Sequence, residues 1–382
     1  MKKALIFDVY DDYNIRIQYI EAALKRNGYD VNIYFADFDH VRKEYYQNKR
    51  IGVNYIHVEK YEKNLSYGRI HSHAQFAQSC IEEIKKHQDV QLIYCMVPPN
   101  SMVKAFSKYK REHPEVKLWF DLLDMWPESL PASPVVKFLG TPAFSLWRNT
   151  RDDHLNDGDI VTTECNLFQN EIKGCVDDQK LKTIYLSQPD RMITYVPSIK
   201  DEIHFLYCGS LNHIVDVDLM VTFLTEVNKK KKVTLDIIGE GEHRENFLSQ
   251  LDKNHISYQF HGIVYDEMKK RDIYSKIHFG LNMMKDSVFI GLTMKSLEYL
   301  SHGIPFVNNI KADTKELVEK EKIGLNLSRN SLNECIQSLV SMDDEEYHQM
   351  RKNVQKVFLE EFEEDQVNKK LDEVIKFLEV GQ

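Results

Sequence analysis

Lys295 and Glu298 stand at helical spacing, two and five residues after Thr293, in the passage Phe289-Ile-Gly-Leu-Thr-Met-Lys-Ser-Leu-Glu-Tyr-Leu-Ser-His-Gly-Ile-Pro-Phe-Val307. The passage reads as a Gly-containing loop, a short helix and a buried strand. Thr293 is a suitable helix cap. Lys295 falls in the first turn, and Glu298 lies one turn further on the same face. Gly303 and Pro305 stop the helix and launch the strand. A cation beside open backbone N–H groups binds phosphate, and a carboxylate accepts hydrogen bonds from paired hydroxyls. A ligand carrying both phosphates and hydroxyls, such as a nucleotide-sugar, suits this chemistry.

Other polar or glycine-containing turns close apolar runs. Gly209-Ser210-Leu211 follows His204–Cys208, and its backbone can approach a phosphate without side-chain obstruction. The next residues are Asn212, His213, Ile214 and Val215. None of these is a Lys or Arg, and the loop also reads as an ordinary strand-to-helix turn. Gly239-Glu-Gly241 and Gly262-Ile-Val264 each read either as ligand loops or as plain strand-end turns. Asp124 follows the Lys117–Leu122 run, and Pro127 biases Trp126 away from helix. Asp124 therefore sits on a turn, where it either binds or deprotonates a ligand hydroxyl or caps the next segment. Asp121 reads as structural. Asp11, Asp12, Asn14 and Arg16 follow the first apolar run and offer polar contacts to a ligand, with a helix cap by Asp12 as the alternative. In Arg69-Ile-His71-Ser-His73, His71 is either a ligand contact or a solvated helix-start residue.

These loops need a scaffold. Short β-rich runs alternate with helical patterns: Lys3–Val9, Val31–Ala36, Leu92–Val97, Lys117–Leu122, Asp159–Thr163 and Thr183–Leu186. Such alternation predicts βαβ units and a parallel sheet. The pattern restarts with His204–Cys208, Val233–Ile238, Ser257–His261, Phe279–Met283 and Pro305–Asn308. Gln188–Glu202 has two prolines and no clear period, and reads as a linker. The expected organisation is a first domain over 1–187, a linker over 188–202 and a second domain over 203–361. Glu345–Val380 carries apolar residues at helical spacing, and its last part, about 362–382, is expected to return to the first domain.

At 382 residues, two domains are the default. A net charge of -9 argues against general nucleic-acid binding. The six Cys are scattered without a CxxC, which points to buried free thiols in a reducing cytoplasm. No apolar run approaches the roughly 20 residues of a membrane span. Lys104, Lys108, Lys110 and Arg111, with Val135, Val136, Phe138, Leu139, Phe144, Leu146 and Trp147, read either as a membrane-docking surface or as a solvated helix and ordinary core.

Four passages together resemble the GT-B glycosyltransferases, specifically the large retaining family with bacterial capsule and lipopolysaccharide transferases. They are Phe120-Asp-Leu-Leu-Asp-Met-Trp-Pro-Glu-Ser129, Leu206-Tyr-Cys-Gly-Ser-Leu211, Ile237-Ile-Gly-Glu-Gly-Glu-His-Arg244 and the passage around Lys295. The resemblance implies two doubly wound Rossmann-like α/β domains facing a cleft. It implies a nucleotide-diphosphate sugar donor, UDP-linked, in the second domain and a glycan acceptor, lipid-linked, in the first. No metal and no further cofactor are implied, and the location is the cytoplasm or the inner membrane face. The family usually has a basic residue just after the glycine loop; with none over Asn212–Val215, the diphosphate charge falls to Lys295 and the helix start capped by Thr293. By resemblance Glu298 serves the ribose, the Gly262–Val264 backbone the base edge, and Asp124, Asp12, Asn14, Arg16 and His71 face the acceptor. The family commonly carries two glutamates separated by seven residues. Glu298 fills the second position and Ile290 stands at the first, with Asp286 the nearest acid. Two other readings are a catalytically silent subunit stabilising a partner transferase and a nucleotide-sugar epimerase; the protein partner expected is a second glycosyltransferase or a further copy of the chain.

Overall fold

The computed structural model describes residues 2–11, 15–130 and 141–380. The chain divides into two compact units, Met1–Leu186 with Val367–Gln382, and Ser187–Gln366.

In the first unit the strands are β1 (Lys2–Phe7), β2 (Tyr29–Ala36), β5 (Val53–Ile56), β6 (Val90–Val97), β7 (Lys117–Leu122), β8 (Ile160–Thr163) and β9 (Leu181–Thr183). They form one parallel sheet in the order β5-β2-β1-β6-β7-β8-β9. A small antiparallel pair, β3 (Phe38–Asp39) and β4 (Glu44–Tyr45), lies between β2 and β5 in sequence. Ala4–Phe7 and Leu92–Val97 are buried throughout, as expected of strands covered on both faces. The helix Glu364–Val380 presents Val367, Leu371, Val374, Ile375 and Leu378 to the core that holds Ala4, Ile6, Leu24 and Tyr29. That apolar stripe brings the chain's end back to the first unit.

The second unit has β10 (Glu202–Cys208), β11 (Lys232–Ile238), β12 (Ser257–Gly262), β13 (Phe279–Asn282), β14 (Phe306–Asn308) and β15 (Gly324–Asn326). These strands are parallel, in the order β12-β11-β10-β13-β14-β15. Strand order reverses between β10 and β13, so a ligand crevice is expected at their carboxyl ends. The core there joins Phe205, Tyr207, Ile237, Phe279 and Val307 to Met220, Phe223 and Leu224 of the helix Val217–Asn228.

Three details differ from the sequence reading. Val53–Ile56 and Gly324–Asn326 are strands, though too short and polar to show a period. The predicted Glu345–Val380 helix is two helices, Asp344–Val357 and Glu364–Val380, parted by a π-turn over Phe358–Phe362 and an extended Glu363. The last strand of the first unit is Leu181–Thr183 rather than Thr183–Leu186, because Ile184 N–H is the last to bond back to Thr163. All six cysteines are free thiols. Among the described residues no helix is long and apolar enough to cross a membrane.

Candidate functional site

The Met294–Ser301 helix is held against β10 and β13 by close packing. A Cβ on Gly280 would lie 2.5 Å from the Tyr299 ring, so that ring occupies space only glycine leaves. Tyr299 hydroxyl lies 3.1 Å from the carbonyls of both Leu206 and Leu281 and accepts from Cys208 N–H at 3.2 Å. The strand ends add an asparagine ladder. Asn282, Asn308 and Asn326 are in register at the last positions of β13, β14 and β15. Asn308 donates to Asn326 at 3.0 Å, and Asn282 donates to Asn308 at 3.1 Å and to Ser296 Oγ at 2.9 Å. Asn282 Oδ1 accepts from Thr293 Oγ1 at 2.9 Å, and Thr293 Oγ1 accepts from Ser296 N–H at 3.0 Å. Thr293 thus caps the helix and is itself locked, in a buried and satisfied network.

The cap takes the Ser296 N–H, and Leu297 N–H bonds to Thr293 carbonyl. The N–H groups of Met294 and Lys295 have no acceptor among the described residues, as first-turn donors generally lack one. The Lys295 stem crosses Gly209, whose missing Cβ would stand 3.3 Å from Lys295 Cδ. Its ammonium lies 5.3 Å from the Tyr207 ring centroid. No carboxylate among the described residues pairs with it. Burial pulls its pKa down to about 8, because the charged form has lost water without gaining a counter-ion. This is a partly desolvated cation at the positive end of a helix, and an anion would satisfy both.

The glycine loops pack closely on one another. Gly209 N–H donates to Ile238 carbonyl, and Leu211 N–H donates to Glu240 carbonyl, both at 2.9 Å. Gly209 therefore has no backbone donor left for a phosphate, and in this loop the free donor belongs to Ser210. A Cβ on Gly239 would stand 2.0 Å from Gly209 carbonyl oxygen, and one on Gly241 would stand 2.3 Å from Leu211 carbonyl oxygen. Both glycines are required by loop-on-loop contact. Gly239 N–H in turn donates to Gly262 carbonyl at 2.8 Å, linking the loops after β10, β11 and β12. Gly262 needs its positive φ of 65°, Val264 is buried, and Ile263 and Tyr265 beside it are exposed.

Glu298 is not a solvated surface acid. Its carboxylate lies 3.3 Å from Tyr274 hydroxyl, 3.6 Å from Lys270 Nζ and 3.9 Å from Arg191. These are long contacts, and Arg191 is paired more closely with Glu267, at 2.9 Å. The carboxylate is thus oriented yet weakly engaged, with lone pairs left for hydroxyl donors. Nothing in the sequence marked Lys270 or Arg191, because they converge from a separate helix and from the stretch before β10. Asp286 is exposed and paired with Lys311 at 3.1 Å, and Ile290 is half-buried.

In the first unit, one expectation is corrected. Arg16, read as an acceptor contact, is buried: its Nε and Nη2 each donate to Asp121 at 2.7 Å and its Nη1 donates to Ile184 carbonyl at 2.6 Å. Thr162 and Tyr94 hydroxyls also donate to Asp121. The pair is an internal strut. Asp124 spends its oxygens on its own turn, accepting from Met125 N–H at 2.8 Å and Trp126 Nε1–H at 2.7 Å. His71 points outward, 3.6 Å from Glu59 and stacked on Tyr67, whereas its neighbours Arg69 and His73 are buried. Asp12, Asn14, Val135, Val136, Phe138 and Leu139 lie outside the described residues. Of the basic cluster, Lys110 pairs with Asp159 at 2.7 Å and Arg111 with Asp157 at 3.3 Å, while Lys104 and Lys108 are exposed. No group of metal-ligating side chains occurs among the described residues.

Comparison with known proteins bears on this site. Residues 220–360 match the family model described as Glucosyltransferase 3-like, C-terminal domain. No curated protein sequence matches the chain. The chain is similar in structure to a sucrose-phosphate synthase of Thermosynechococcus elongatus, at a TM-score of 0.70 and 13% identity, covering 100% of both chains. It is similar to the lipopolysaccharide outer core galactosyltransferase WaaB, at 0.70 and 13%, covering 98% of this chain and 99% of the other. It is also similar to Anabaena HepE in complex with UDP, at 0.67 and 12%, covering 98% of this chain and 100% of the other. At such identities the likeness establishes the fold, two Rossmann-like units of the GT-B kind.

Proposed function

We propose that the protein is a glycosyltransferase that takes a sugar from a nucleotide-diphosphate donor, a UDP-sugar, and passes it to a glycan acceptor. The carrying observation is the Lys295 ammonium, desolvated and without a counter-ion beside the open N–H groups of a capped helix. The glucosyltransferase 3-like match over 220–360 includes this helix, and the structurally similar HepE is described in complex with UDP. In this reading Lys295, the Met294 and Lys295 N–H groups and Ser210 N–H hold the diphosphate. Thr293 fixes the helix start, and Glu298 accepts from the ribose hydroxyls. As the sugar–phosphate bond breaks, negative charge grows on the leaving diphosphate, and these preorganised donors stabilise it. The finer parts of the reading are retention of configuration, no metal requirement, and a lipid-linked acceptor in bacterial surface polysaccharide synthesis. These rest on the family resemblance of the sequence.

The test is calorimetric titration of UDP into the purified chain, followed by UDP release from UDP-glucose and other UDP-sugars with EDTA present. Submicromolar to high-micromolar UDP binding with slow donor hydrolysis is expected, and absence of UDP binding overturns the proposal. UDP binding without any turnover favours a second reading, a catalytically silent subunit. Ile290 motivates that reading, since it puts a methyl-bearing chain where the resemblance places a sugar-side carboxylate.

A further inference from the structure

The first unit contains a buried cation with no counter-ion among the described residues. Arg69 occupies the first turn of the helix Tyr67–Ile84 and is 8% exposed. Its Nη1 donates to Asn64 carbonyl at 3.0 Å and its Nη2 to Tyr10 hydroxyl at 2.6 Å. Its Nε is buried with no acceptor, and no carboxylate pairs with it among the described residues. The guanidinium stacks 4.2 Å from the Trp126 ring centroid and stands 5.9 Å from that of Tyr61. Lys43 Nζ lies over the same Tyr61 ring, 4.6 Å from its centroid, and bonds to the Asn64 side chain. His73 stacks on Trp126 and His40 packs on Tyr10. Asp39 and Asp8 act electrostatically on Lys43 and Tyr10 of the cluster, and neither forms an ion pair with Arg69. Asp39 accepts from Val41 and Arg42 N–H at 2.8 and 3.0 Å, and Asp8 accepts from Tyr10 N–H at 3.1 Å.

A guanidinium buried without an anion is costly, and proteins ordinarily pair it. Here the aromatic walls hold it in place while leaving the charge uncompensated. Burial, and after it the Arg69 charge, lowers the Lys43 pKa, and burial, with Arg69, His40 and Lys43 adding to it, pulls that of His73 down to about 3. Tyr10 follows β1, Trp126 follows β7, and Arg69 follows β5, so the cluster sits at the carboxyl edge of the sheet. Parallel α/β sheets bind their ligands at that edge. The planar fork of an arginine suits the paired oxygens of phosphate or carboxylate.

We propose that the Arg69–Lys43 cluster receives an acidic group, a phosphate or a carboxylate, borne by the sugar acceptor. This rests on the reading of the first unit as the acceptor side. Trp126 and Tyr61 then provide the flat apolar faces against which a sugar ring packs. Arg69 is a specificity determinant here and takes no part in bond making.

The experiment uses the full chain carrying Lys295→Ala, which removes the unpaired cation of the other unit whether or not that unit binds UDP. Methyl glucoside, glucose 1-phosphate and glucuronate are titrated by ligand-observed NMR. At least one acidic sugar is expected to bind tenfold or more tightly than methyl glucoside, with a preference that shrinks as salt is raised. Adding Arg69→Gln is expected to abolish the preference, and Arg69→Lys to keep part of it. Which acidic sugar prevails separates phosphate from carboxylate. Equal binding of neutral and acidic sugars, or a preference that survives Arg69→Gln, overturns the proposal. If Arg69→Gln does not fold, by its thermal melt, the Arg69→Lys comparison and the salt dependence decide. A failed donor reading shows separately, as loss of UDP binding by the otherwise unaltered chain.

Discussion

Replacing Lys295 by alanine should separate binding from stability. The ammonium's desolvation cost is already met in the folded protein, so an arriving diphosphate gains a charge-assisted contact without new dehydration of the lysine. Such contacts contribute about 1.5–3 kcal/mol, which is a loss of roughly 10- to 150-fold in UDP affinity. Uridine, lacking the phosphates, should bind the variant and the parent equally. Stability should not fall, because the substitution removes a cation that has no partner. The pH dependence follows from the lysine's pKa of about 8 in the free protein. A bound anion raises that pKa, so binding takes up protons and affinity declines as pH rises above about 8. Lys295→Ala should erase this decline. Conversely, the unfolded lysine binds its proton more tightly than the folded one, so Lys295 costs stability below pH about 8 and that cost is relieved as pH rises towards 10.5. The assay is paired calorimetry with UDP and uridine between pH 7 and 9.5. UDP affinity within twofold of the parent, or equal losses for UDP and uridine, would refute the reasoning.

Glu298→Gln should weaken UDP by about 1 kcal/mol, roughly fivefold, and leave pyrophosphate binding unchanged, since the carboxylate is assigned to hydroxyls rather than phosphates. Competition titrations with the two ligands check this. Gly239→Ala should prevent the second unit from folding normally, because its Cβ would stand 2.0 Å from a backbone oxygen that cannot retreat, and a lowered melting midpoint or insoluble expression is the readout. Arg16→Met should destabilise the first unit by about 3–5 kcal/mol, leaving Asp121 buried without its guanidinium, yet leave UDP affinity unchanged. Denaturant unfolding read alongside UDP titration distinguishes this from a ligand-binding role.

The alternating strand and helix patterns were legible because a parallel sheet covered on both faces demands continuous apolar runs, as in Ala4–Phe7 and Leu92–Val97. The short strands Val53–Ile56 and Gly324–Asn326 were not, since the ladder that makes them strands comes from their neighbours. Thr293 as a cap was legible for a local reason: its hydroxyl serves an N–H three residues away. The asparagine ladder that immobilises Thr293 was not, because Asn282, Asn308 and Asn326 meet only through strand register.

The sequence by itself determined the two-fold repetition of the α/β pattern and the local chemistry around Lys295, where cation, cap and carboxylate lie within two helical turns. Tertiary structure decided which charges are spent. It paired Arg16 with Asp121, left Lys295 and Arg69 without a carboxylate among the described residues, turned His71 outward, and set Gly239 and Gly241 against neighbouring backbone. The reason is physical. Helix periodicity and capping act over a few residues, whereas burial and ion pairing depend on which distant segments the fold brings within hydrogen-bonding reach.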